Sequence, residues 1–161
     1  MPKRTSGLVR VVFELEPGQW HGTSTERLWA ERVGSGRYRL DNSPFFAFGV
    51  SYNDVVFAED RDGQLFFTGV STAGGHSTYR LKLAVKRTSA NFNRHWQPLQ
   101  RLGCSYEEGE VLSVDVPVSA DIYAAYQLLA TGRSGGVWEL EEGHCGHPLR
   151  GSRGDPTEGS T

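Results

Sequence analysis

The 161-residue chain carries 17 Lys+Arg against 19 Asp+Glu, a net charge of −2, and its 37% hydrophobic content becomes an ordinary globular balance once the 20 glycines are added. No run approaches the roughly 18 apolar residues of a membrane helix, and a near-neutral charge argues against a nucleic-acid partner. Two cysteines, Cys104 and Cys145, are too few for a disulfide framework, and residues 1–7 lead into no apolar signal segment, so a cytoplasmic location is expected.

In chain order, Val9, Val11, Phe13 and Leu15 recur with the period of two of a strand, closed by Pro17-Gly18. Residues 28–33 and 37–40 around Gly34-Ser35-Gly36 read as a hairpin rather than a helix, and residues 54–59 and 64–71 around Asp60-Arg61-Asp62-Gly63 read as another. Between them lies an aromatic cluster, Phe45, Phe46 and Phe48, which with Trp20 and Trp29 belongs to a core, a lobe interface or a cleft wall. Beyond residue 77 the period changes. Tyr79, Leu81, Leu83 and Val85 make a strand, while Phe92, Trp96, Leu99 and Leu102 fall at helical spacing, with Gly103 ending the helix and Pro98 predicting a kink or break. Residues 104–107 and 110–116 read as a hairpin. Ser119 is the predicted cap of a helix over 120–131 with Gly132 just past it, and residues 137–141 are a last strand.

The order strand, helix, strand, strand, helix, strand is the split βαβ pattern of ferredoxin-like domains. The expected fold is therefore α+β: an N-terminal antiparallel β-meander or small barrel packed on a C-terminal ferredoxin-like half. The expected division is 1–7 as a flexible start, 8–75 as the β lobe, 76–147 as the ferredoxin-like lobe and 148–161 as a disordered, Gly/Ser/Pro-rich tail.

Two segments concentrate reactive groups. In His144-Cys145-Gly146-His147, two imidazoles flank a thiol and could stabilise its thiolate for nucleophilic work. Closely spaced ligands number only three there, one short of a closed zinc site, so no metal is expected. In Gly74-Gly75-His76-Ser77-Thr78, paired glycines free backbone N–H groups to cradle an anion, the two hydroxyls add donors, and Arg80 two residues on could clamp the same group. Against this stands a plain reading, in which the glycines join two lobes and Arg80 makes an ion pair. Arg80, Lys82, Lys86 and Arg87 form a basic stripe without the interleaved aromatics that stack RNA bases, so a solvated face or a lobe contact explains it better.

Five ordered segments, Leu28-Trp29-Ala30-Glu31, Asn42-Ser43-Pro44-Phe45, Asp54-Val55-Val56, Gly75-His76-Ser77-Thr78-Tyr79-Arg80 and Glu142-Gly143-His144-Cys145-Gly146-His147, resemble a bacterial family of small proteins, domain of unknown function 4265. The resemblance runs from about Val9 to His147 and marks Trp29, Arg80, His144 and His147 as family-like positions, while supplying no catalytic assignment. The function expected is a small cytoplasmic enzyme that uses acid–base or thiol chemistry on a polar, anionic or peptide-like small molecule. His76, His144, Cys145 and His147 are the catalytic candidates; Trp29, Ser77, Thr78 and Arg80 are the ligand-binding ones. No cofactor is expected. The alternative is a non-catalytic immunity or sequestering protein that uses the same cleft.

Overall fold

The alternating segments of the N-terminal half become five strands, β1 (Leu8–Glu14), β2 (Thr25–Gly34), β3 (Arg37–Leu40), β4 (Val55–Arg61) and β5 (Gln64–Thr72), which close into a barrel in that order. The computed structural model describes residues 7–18 and 20–150; expectations for residues 1–6 and 151–161 lie outside it. Successive pairs are antiparallel, but the closing pair, β1 with β5, is parallel, at Val11↔Leu65 and Val12↔Phe66. The reason is arithmetical: in an up-and-down run of five, the first and last strands point the same way. Asp62 and Gly63, with φ of 52° and 88°, supply the two positive-φ residues of the tight β4–β5 turn. Val11, Phe13, Leu28, Ala30, Leu40 and Val56 fill the barrel.

The second half runs β6 (Ser77–Leu83), α1 (Ala90–Arg101), β7 (Ser105–Glu108), β8 (Leu112–Val116), α2 (Ile122–Ser134) and β9 (Trp138–His144). The four strands form one antiparallel sheet in the order β7-β8-β6-β9, and residues 28–33 are strand, not helix. Tyr79 and Leu81 are buried with Phe92, Trp96 and Leu99 of α1 and Ile122, Ala125 and Leu129 of α2, and Leu83 and Val85 pack at the edge of that core. Helix α1 passes through Pro98 without a break, capped by Ser89, whose hydroxyl accepts from Phe92 N. Helix α2 begins later than the sequence suggests. Asp121, not Ser119, is the cap, accepting from the N–H groups of Tyr123 and Ala124, because a carboxylate two residues further on satisfies two free amides at once. Gly132 lies inside α2, where its bare Cα lets the Trp138 indole approach. Among the described residues no helix is long and apolar enough to cross a membrane.

Alternation along β6 and β8 puts Thr78, Arg80, Ser113 and Asp115 on the sheet face away from the helices, and the barrel covers that face. The residues between β3 and β4 form the joint. Ser113 Oγ bonds Ser43 Oγ and donates to Pro44 O at 2.6 Å, Gly49 N donates to Gly143 O at 2.9 Å, and the Glu107 carboxylate accepts from Ser43 N at 3.0 Å. Among the described residues every buried side-chain nitrogen and oxygen has a partner, so this polar interface is internally satisfied.

Candidate functional site

Arg80 has no exposed surface. Its Nε donates to Glu141 at 3.1 Å, Nη1 to Ala47 O at 2.7 Å and Pro44 O at 3.3 Å, and Nη2 to Phe46 O at 3.2 Å, while Phe48 covers the guanidinium at 4.9 Å. Burial lowers its pKa and Glu141 opposes that shift. The guanidinium thus pins one lobe to the other, the ion-pair reading of this residue, and offers no free fork to an anion. Lys82, two residues on, is exposed, so the basic stripe is interrupted at its first member.

The glycine loop has an internal anion. Gly74 N donates at 2.7 Å to the buried Asp54 carboxylate, which also accepts from Ser51 N at 2.9 Å. The two hydroxyls after it point to opposite faces. Thr78 Oγ1 meets Ser51 Oγ at 2.6 Å, and Ser51 Oγ meets His144 Nδ1 at 2.8 Å, all on the barrel side. Ser77 Oγ lies 2.6 Å from His147 Nδ1 and accepts from Gly146 N at 2.9 Å. Because His147 Nε2 faces Pro117 O at 2.8 Å, it carries the proton, and Nδ1 accepts from Ser77. Both nitrogens of His147 are therefore committed to holding the turn. Cys145 points elsewhere: its thiol reaches His147 O at 3.7 Å and lines a pocket against α2 with Tyr79, Tyr123 and Tyr126. The contiguous run is thus divided between two faces and a turn.

His76 does have a chemical partner. Its Nδ1 lies 2.9 and 3.1 Å from the two Asp115 oxygens, and the ring meets the Tyr52 ring edge-on at 5.2 Å. The two side chains are 13% and 15% exposed, so the pair is shielded but within reach of solvent. Burial raises the Asp115 pKa, and the neighbouring His76 pulls it back. Asp115 and Tyr52 line an inter-lobe cleft of about 240 Å³ with Ser43, Ser105, Tyr106 and Glu107. Trp29 lines a separate depression of about 300 Å³ with Glu26, Asn42 and Phe46, and the two share Glu107 as a wall. Arg10 stacks over the Trp29 indole at 4.7 Å.

Asp115, Tyr52, Tyr106 and Glu107 are among the cleft residues that sequence reasoning misses. In Leu112-Ser113-Val114-Asp115-Val116 the alternation correctly separates two faces, but a polar face normally means solvent, and only the barrel lying across it makes Asp115 a floor. Among the described residues no cluster of three or more His, Cys, Asp or Glu side chains is arranged to hold a metal ion.

No curated protein matches the chain. A solved structure described as a novel crystal structure of a hypothetical protein from Neisseria gonorrhoeae is similar to it, with a TM-score of 0.71 and 18% identity over 88% of this chain and 96% of that one. At that identity the likeness concerns the fold. The family model for domain of unknown function 4265 matches residues 26–140, from within β2 of the barrel to within β9 of the sheet, and the chain belongs to that family.

Proposed function

We propose that the protein binds the amino end of a small peptide-like molecule in the inter-lobe cleft and exchanges a proton with it through Asp115, with His76 as the positioning partner. The observation that carries this reading is that Asp115, which lines the cleft, is paired with His76. A carboxylate whose pKa is raised by burial and a neighbouring imidazole are the components of general acid–base work. The lining favours the peptide-like arm of the expected substrate over the anionic arm. Its ionisable groups are Asp115 and Glu107 with the phenols of Tyr52 and Tyr106, and Arg80 is engaged behind them. A volume of about 240 Å³ falls below the range of roughly 300–1,000 Å³ of drug-sized pockets, so the site takes one or two residues.

The rival reading, non-catalytic capture of the same ligand, is supported by the commitments of the other candidates. His147 is bonded at both nitrogens, and the Cys145 thiol faces α2. Calorimetric titration with glycylglycine and with its N-acetyl counterpart tests the site. The free amine should bind and the acetylated compound should not, and Asp115→Asn should abolish the difference. Equal binding of both compounds by both proteins contradicts the proposal. Slow hydrolysis or isomerisation of a bound dipeptide, lost in Asp115→Asn, separates enzyme from binder.

The same reading takes residues 77–144 as a ferredoxin-like unit. Its support is the strand order β7-β8-β6-β9, all antiparallel, with both crossover helices against the Tyr79–Leu81 face. A bacterial cytoplasmic setting belongs to it too, supported by two thiols that remain free.

A further inference from the structure

On the sheet face opposite the proposed cleft, three tyrosines converge. Tyr79 of β6 and Tyr126 of α2 have ring centroids 6.0 Å apart at 55°, which makes a corner rather than a stack. With Tyr123, Gln127, Glu142 and Cys145 they enclose about 240 Å³. Tyr79 is 2% exposed, whereas Tyr123 and Tyr126 are 37% and 39% exposed, so the floor is fixed and the rim is open. The Tyr79 hydroxyl donates to Glu142 at 3.2 Å, which leaves the carboxylate at the edge of the pocket. One of the rim rings already holds a cation: the Arg150 guanidinium sits 3.9 Å from the centre of the Tyr123 ring.

We infer that Tyr79, Tyr123, Tyr126 and Glu142 form an aromatic cage for an alkylated ammonium group, a second ligand site separate from the Asp115 cleft. Tyrosine rings offer negative potential to a cation, Tyr123 and Tyr126 stand open at the rim above the buried Tyr79, and the Glu142 carboxylate supplies the counter-charge. Methyl-bearing nitrogen suits the site better than a bare ammonium. Its hydrated shell is loose, its methyl groups fill apolar volume beside Ile122, and it makes no demand for the three hydrogen bonds that a primary amine would lose on entry. The Cys145 thiol adds a soft, polarisable wall. Burial and the Glu142 charge both raise the Tyr79 pKa, so its phenol stays protonated and the floor ring remains neutral.

The test compares choline with 3,3-dimethyl-1-butanol, its uncharged isostere, by following ring signals of isotopically labelled tyrosine. Choline should shift Tyr79, Tyr123 and Tyr126 saturably and bind at least about fivefold more tightly than the isostere. Tyr126→Leu retains an apolar surface at a rim position and should fold, yet it should lose most of that preference. Glu142→Gln should weaken choline binding and leave the isostere unaffected. Equal binding of the two compounds, or a choline preference that survives in Tyr126→Leu, overturns the cage, as does the absence of saturable shifts.

Discussion

Arg80 and Glu26 clasp the same short stretch of backbone from its two sides. The carbonyls of Pro44, Phe46 and Ala47 turn to the Arg80 guanidinium, while the N–H groups of Phe45, Phe46 and Ala47 turn to the Glu26 carboxylate at 2.6, 3.0 and 2.9 Å. One charge comes from the second strand of the barrel and the other from a central strand of the sheet, so the pair fixes both lobes to one loop. Glu26 also counters the desolvation that lowers the Arg80 pKa. Gly143 lies against the same guanidinium, where a Cβ would come within 2.7 Å of Nη1.

Replacing Arg80 should therefore act on folding before it acts on any ligand. Arg80→Met leaves three carbonyls and the Glu141 carboxylate without their donor, a loss of about 3–5 kcal/mol for a broken buried pair. Arg80→Lys restores a charge but not the planar fork, and should recover only part of this. Urea unfolding measures both. An Arg80→Met chain as stable as the wild type would contradict the clasp.

Gly132 predicts a reversal of an ordinary rule. Ala in place of Gly inside a helix normally stabilises by up to about 1 kcal/mol. Here a Cβ would lie 2.2 Å from the Trp138 indole, whose Nε1 donates to Leu129 O at 2.9 Å and holds the ring in place. Gly132→Ala should instead cost about 1–3 kcal/mol, as overpacking does. Thermal melting decides the sign.

The two thiols should separate cleanly. Burial pushes the Cys104 thiol up to about 12, and the residue is 4% exposed. A disulfide reagent at pH 8 should modify Cys145 alone in the folded protein and Cys104 only after unfolding. The raised value also means that the Cys104 contribution to stability is complete below the ordinary thiol pKa and is lost as pH climbs from there toward 12. Two thiols reacting at one rate would refute this.

Much of the architecture is legible from period alone, because Tyr79, Leu81, Leu83 and Val85 alternate and Phe92, Trp96 and Leu99 recur at helical spacing. The same alternation assigns Arg80 to the opposite face without saying what covers it. Its partners lie 33 to 36 residues upstream and 61 downstream, and no local pattern encodes such contacts. Contiguity misleads at the other motif. His144, Cys145 and His147 look like one reactive patch, but β9 ends among them, and successive side chains at a strand end take opposite faces. The Gly74-Gly75 loop is legible as an anion cradle only in kind: its Gly74 amide meets a carboxylate, and that carboxylate is Asp54.

Asp115 should show the trade between stability and function. Its folded pKa lies above the ordinary carboxylate value, so the stability it contributes is full below that ordinary value and is lost as pH rises through the raised one. Asp115→Asn keeps an acceptor for His76 and removes the buried charge. Its stability near neutral pH should equal or exceed that of the wild type by up to about 1 kcal/mol, with a flatter profile between the two carboxylate values. A loss of several kcal/mol would mean that the pair is a structural ion pair.

The most direct test of the cleft assignment locates a bound dipeptide by nuclear Overhauser effects from the glycylglycine methylene protons. Contacts to the Tyr52 and Tyr106 rings and to His76, absent with the N-acetyl compound and in Asp115→Asn, are the predicted result. Contacts to Tyr123 and Tyr126 in their place, or a bound methylene with no effect at Tyr52, would contradict it.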